Sequence, residues 1–192
     1  MRHDIPNLKG TENRSIIVPV LLDEATANNS ATVDVALSPG YRRYNIELSK
    51  VSPVSDGADF NARVSFDNGA TFSSGTIYGY TSMIPYANAV AVISGSATTL
   101  IRLTGGILVS GSGGTFAATC VVGNPGGNSK GFLIHGNGTY ITNDPLGGAE
   151  VTHFSGCVTG SQSIVTHLRF FMSTGNISTG TFKVFGMTPN AT

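Results

Sequence analysis

The chain has 192 residues, enough for one domain with a sizeable core, and its 11 basic and 11 acidic side chains balance. Charged residues make up only 11%, against the roughly 25% usual in soluble domains. No basic stripe exists to displace counterions from nucleic acid, and no apolar run approaches the ~18 residues of a membrane span.

The first fourteen residues, MRHDIPNLKGTENR, hold five of the 22 charges, and Pro6 and Gly10 break any regular element. This stretch is polar from its first residue and does not read as a signal peptide. It predicts an extended arm over residues 1–14, with Arg2, Ile5, Leu8 and Lys9 as its anchoring side chains, followed by a single domain over 15–192.

From Ser15 the chain is a succession of strand signals. Ile16–Leu22 is apolar, but Pro19 reduces it to an edge strand or bulge. DEATANNSA (Asp23–Ala31) is the one helix-compatible stretch, and its Asn-Asn-Ser end reads as a loop. Thr32–Leu37 alternates with period two. So does Tyr41–Val51, with Tyr44, Ile46 and Leu48 on one face and Arg43, Asn45, Glu47 and Ser49 on the other. After Phe60–Phe66, the Asp67-Asn68-Gly69 segment predicts a hairpin turn, because Asn-Gly accepts positive φ.

Further strands are expected at Thr76–Tyr80, Ala89–Ile93, Thr98–Leu103, Thr115–Val122, Gly131–His135, Glu150–Phe154, Ile164–Met172 and Thr181–Gly186. The stretches GGILVSGSGG, VGNPGGNSK, HGNGTY and NDPLGG between them read as loops. About a dozen short strands without a fixed repeat predict an all-β antiparallel sandwich of jelly-roll type. Ser, Thr, Asn and Gly supply 80 of the 192 residues, a composition that suits many turns and also a life inside an assembly.

The sequence offers little catalytic chemistry. His135, His153 and His167 show no metal-ligand spacing, and no metal or cofactor is expected. Asp34 and Glu47 fall on solvent-phase strand positions. Asp56, Asp59, Asp67 and Asp144 fall in turns, where Asp bonds nearby backbone N–H groups. No nucleophile elbow occurs. The glycine clusters lack the following helix that a phosphate site needs. The N-x-S/T sequons, those at Asn28, Asn137, Asn176 and Asn190 among them, are close to what chance supplies in a chain this rich in Asn, Ser and Thr. Cys120 and Cys157 read as two buried reduced thiols. Tyr78, Tyr80, Tyr86 and Tyr140 could offer a sugar platform, although the chain has no Trp.

Two stretches carry more specific information: RRYNIELSKVSPVSDGADFNARVSFDNGATFSSGTIYGY (Arg42–Tyr80) and IVTHLRFFMSTGNISTGTFKVFGM (Ile164–Met187). In the first, Tyr44, Ile46, Arg63, Val64, Ser65, Asp67, Gly69 and Phe72 fit a Tyr-x-Ile strand followed by an Arg-Val-Ser-x-Asp-x-Gly-x-x-Phe hairpin. In the second, Leu168, Arg169, Phe170, Ser173, Gly175, Asn176, Ile177, Gly180, Phe182 and Gly186 fit a closing hairpin, with Gly175, Asn176 and Gly180 in its turn. Val184-Phe185 stands where that pattern has Leu-Tyr. In these residues the chain resembles the β-sandwich structural proteins of tailed bacteriophage virions.

The resemblance implies a non-enzymatic virion protein, made in the bacterial cytoplasm, that decorates or cements the capsid. A tail or baseplate position is the next reading. It further implies other virion proteins as partners and a homotrimer, with no nucleic acid or membrane bound. The alternative is a phage receptor-recognition module that binds a surface glycan through its loops.

Overall fold

The structure, a computed structural model, describes residues 18–86, 89–104, 115–123, 131–141, 149–159 and 163–189, with the side chains of residues 86, 89, 188 and 189 excepted. The arm expected over residues 1–14 lies outside them, as do GGILVSGSGG, NDPLGG and most of VGNPGGNSK. Twelve strands form among the described residues, and no helix. In chain order they are β1 (Val20–Ser30), β2 (Val33–Ala36), β3 (Tyr41–Pro53), β4 (Phe60–Ser65), β5 (Tyr78–Tyr86) and β6 (Ala89–Thr98). β7 (Ile101–Arg102), β8 (Phe116–Gly123), β9 (Leu133–Ile141), β10 (Ala149–Val158), β11 (His167–Met172) and β12 (Ile177–Pro189) complete the set.

All pairings are antiparallel, and the strands form two sheets, β1-β12-β3-β8-β9-β10-β5-β6 and β2-β11-β4-β7. The order decodes simply. With β5-β6 and β9-β10 set aside, the remaining strands form two four-stranded sheets, β1-β12-β3-β8 and β2-β11-β4-β7. The chain visits them alternately except at the β4–β7 step, which stays within one sheet. That is the double Greek key of a jelly roll. The two remaining hairpins pair with each other through β10 and β5 and extend the larger sheet beyond β8.

The core lies between the sheets. Tyr44, Ile46 and Leu48 of β3 are buried as their alternation predicts, and Phe182 and Val184 of β12 stand beside Leu48 and Ile46. Phe60 of β4 stacks on Phe170 of β11 at 5.6 Å with 7° between planes, and it meets Phe116 and Phe182 of the larger sheet at 5.5 and 6.3 Å. Aromatic pairs of this kind add ~0.5–1.5 kcal/mol each beyond the area they bury.

Several local expectations are corrected. DEATANNSA is not a loop: Asp23–Ser30 forms most of β1, paired from Asp23 to Val184 through to Ser30 and Ile177. Ala27 faces the core, but alanine carries so little hydrophobic signal that only the pairing with β12 reveals the strand. HGNGTY is not a loop either, for it lies within β9. Gly138 is needed there because a Cβ would collide with the Phe116 ring. The expected Thr98–Leu103 strand divides, with Thr98 closing β6 and only Ile101–Arg102 forming β7.

The turn at Asp67 forms, with φ of +57° at Asn68 and +81° at Gly69, yet it does not open a second strand. Ser73 N–H donates to Val64 O at 2.9 Å, and the buried Tyr78 hydroxyl accepts the Val64 N–H at 3.1 Å. These bonds replace a ladder on that side of β4, and the chain then passes to the larger sheet. The closing pair is no hairpin, because β11 and β12 belong to different sheets. Ser173–Asn176 is an arch between them, with Gly175 at φ +68°. Gly180 lies inside β12, opposite Ala27, and not in a turn.

Candidate interaction surface

Five carboxylates are held by structural partners, those of Asp23, Glu24, Asp34, Asp59 and Asp67. Asp34 holds Arg169 in a two-pronged pair, with both N–O distances 2.7 Å, and this raises the guanidinium pKa. Asp59 pairs with Arg102, and Glu24 lies 3.6 Å from Lys183. Asp23 accepts the Ala36 N–H at 2.7 Å, tying β1 to the edge strand β2. Asp67 accepts the Ser65 hydroxyl at 2.7 Å and the Thr71 N–H and hydroxyl at 2.9 and 2.6 Å. Those bonds, Ser65 first, lower its pKa to about 2. Among the described residues no three His, Cys, Asp or Glu side chains cluster closely enough to hold a metal ion.

The two motif stretches meet in space. β4 and β11 are neighbours, with Arg63 opposite Arg169 and Val64 opposite Leu168. Arg169 lies over the Phe72 ring at 3.9 Å, and Arg63 over Phe171 at 4.9 Å. Asn68 N–H donates to Thr166 Oγ1 at 3.0 Å. Asn176 of the arch donates to Asn29 O at 2.9 Å, which fastens the arch to the end of β1. The motif residues therefore build and close the sandwich. The proposed anchors Arg2, Ile5, Leu8 and Lys9 lie outside the described residues.

The tyrosine platform is corrected in part. Tyr78 and Tyr140 are core residues, buried too deeply to stack on a sugar, and Tyr80 packs against the core while partly exposed. The Tyr86 side chain lies outside the described part. Cys120 is buried and free, and desolvation pushes its thiol up to about 12. Cys157, also free, is only partly buried, which corrects the expectation of two buried thiols.

The surface that stands out is the outer face of the four added strands. Cross-strand register places Val92, Met83, His153, Asn137, Thr119, Glu47, Lys183 and Glu24 in one row across all eight strands. The row changes character along its length. Over the jelly roll it is charged, from Glu47 through Lys183 to Glu24, whereas beyond β8 it has no carboxylate, Lys or Arg. Indeed β5, β6, β9 and β10 together contain one residue of those types, Glu150.

On that same outer face Val92 is 59% exposed, Leu133 54%, Val90 53%, Met83 44%, Val151 40% and Ile141 39%. Among the described residues, two shallow depressions stand out on it. One, of about 380 Å³, is floored by β8 and β9 between Glu47, Thr119, Asn137 and Val151. The other, of about 210 Å³, lies between Met83, His135 and His153. There the His153 Nδ1–H donates to Asn137 Oδ1 at 2.7 Å. Scattered exposed apolar residues are ordinary, but a face without carboxylate, Lys or Arg that gathers six of them is a candidate contact surface.

Sequence reasoning missed this surface, although a signal was present: no charged residue occurs between Asp67 and Arg102. Comparison with known proteins finds no match to a family model, a curated protein or a solved structure.

Proposed function

We propose that the chain is a non-enzymatic structural protein of a tailed-phage virion, which decorates or cements the capsid by packing the outer face of its added strands against a neighbouring subunit. The observation that carries this reading is that face, free of carboxylate, Lys and Arg and set with six exposed apolar side chains, on strands that the jelly roll itself does not need. An isolated soluble domain gains nothing from such a surface, whereas a subunit in an assembly buries it. Support also comes from the motif residues that resemble virion proteins, because they act as bonds and rings that hold a sandwich together.

Three of the carboxylates agree with this reading. Asp34, Asp59 and Asp67, which a glycosidase would need available, are committed to Arg169, Arg102 and the Ser65–Thr71 turn. A tail or baseplate position uses the same surface and remains the second location. Receptor recognition of a surface glycan through the loops is the alternative, and among the described residues two of the four tyrosines proposed for it belong to the core.

Quantitative mass spectrometry of purified particles tests the proposal. The protein should copurify at a fixed ratio to the major capsid protein. Abundance in infected cells with absence from purified particles would refute a virion role.

A further inference from the structure

A sheet edge carries unpaired N–H and C=O groups, and proteins blunt such edges with charge, proline, bulges or brevity. Three of the four edges here are blunted. β1 begins after Pro19, carries Asp23 and Glu24, and is bulged between Leu21 and Asp23. β2 has four residues and includes Asp34, and β7 has two and includes Arg102. The fourth edge, β6, has β5 as its one neighbour among the described residues. Its sequence AVAVISGSAT has no charge and no proline. Its irregularity comes late, at Ala97 with φ +52° and a register shift between the Tyr78 and Tyr80 pairs. Ala89–Ser94 is thus a regular, uncharged edge segment rich in β-branched residues, and among the described residues its outer edge is unpaired.

We propose that β6 pairs with β6 of a second copy, antiparallel about a two-fold axis, to form a dimer with one continuous sixteen-stranded sheet. Self-pairing suits this segment. A two-fold at Val92 sets Val92 against its own counterpart and Val90 against Ser94 on the outer face, with Ala91 against Ile93 on the inner one. No like charges meet, and Val92 forms a branched cross-strand pair with its counterpart, which stabilises a ladder.

The join also enlarges the face assigned above to the neighbouring subunit. Four strands about 4.8 Å apart and about 30 Å long give roughly 600 Å² of flat surface. A stable interface takes ~800 Å² per partner, so two joined faces reach what one alone does not, with Met83, Val90 and Val92 of both copies at the centre. The inference rests on the proposed function only for this last use; the edge contact stands on β6 itself. The two-fold also replaces the trimer that the resemblance implies.

The test uses the full chain at micromolar concentration, by sedimentation and by amide hydrogen exchange. Wild type should sediment as a dimer, with amides of Ala89–Ser94 protected more strongly than in diluted monomer. Val90→Lys/Val92→Lys should be monomeric with unchanged circular dichroism, whereas Val151→Lys, on the same face but two strands away, should remain dimeric. A wild-type monomer, a trimer, or a dimer unaffected by the double substitution would overturn the edge contact. Val90→Lys alone guards against misfolding of the double variant and should weaken the dimer in the same direction. Recovery of wild type as a monomer that is still present on purified particles would reject the β6 pairing and leave the virion role standing. A dimer missing from particles would do the reverse.

Discussion

Gly69 sits directly over the imidazole of His167: a Cβ at Gly69 would lie 3.2 Å from His167 Cδ2, on a backbone with φ of +81°. The positive φ favours glycine at this position, and a Cβ would in addition press on the imidazole. Gly69→Val should cost about 1–3 kcal/mol, through strain at positive φ and displacement of the imidazole. Urea denaturation measures it, and an unchanged midpoint would show that the turn has another geometry.

Asp67 gives the same turn a pH dependence. Its pKa falls from 3.8 to about 2, because Ser65 and then Thr71 bond the charged form. A carboxylate with a depressed folded pKa contributes stability that is complete above its unfolded value and lost as pH falls through the folded one. Asp67→Asn should therefore melt below wild type at neutral pH, with the difference closing as pH falls from about 4 towards about 2. A gap that stays constant over that range would mean that the charge contributes nothing.

The thiols should differ in reactivity. Cys120 faces the core with its thiol pushed up to about 12, while Cys157 is partly exposed. At mildly alkaline pH a thiol reagent should label Cys157 alone in the native protein and both after denaturation. Two labelled sites in the native state would contradict the burial of Cys120.

What could be read in advance follows from how local each cause is. The alternation at Tyr44, Ile46 and Leu48 and the Asn68-Gly69 turn are local, and both formed. The second half of β1 could not be read, because Ala25 and Ala27 become strand residues only through Phe182 and Gly180 of β12. Nor could β9, whose Gly136 and Gly138 look like loop residues until Phe154 and Phe116 fill the space above them. The arch at Ser173–Asn176 reads as a hairpin in the sequence because a short polar linker looks the same whether the next strand stays or changes sheet. The outer face was missed for a different reason. Its apolar residues come from four strands spread between Tyr78 and Val158, and only their register puts them on one side.

Electron cryomicroscopy of the intact particle tests the central claim most directly. Jelly-roll density should stand at regular sites on the particle, with the outer face of β9, β10, β5 and β6 buried against a neighbouring subunit. Jelly rolls attached with that face bare to solvent, or particles that lack the protein altogether, would contradict it.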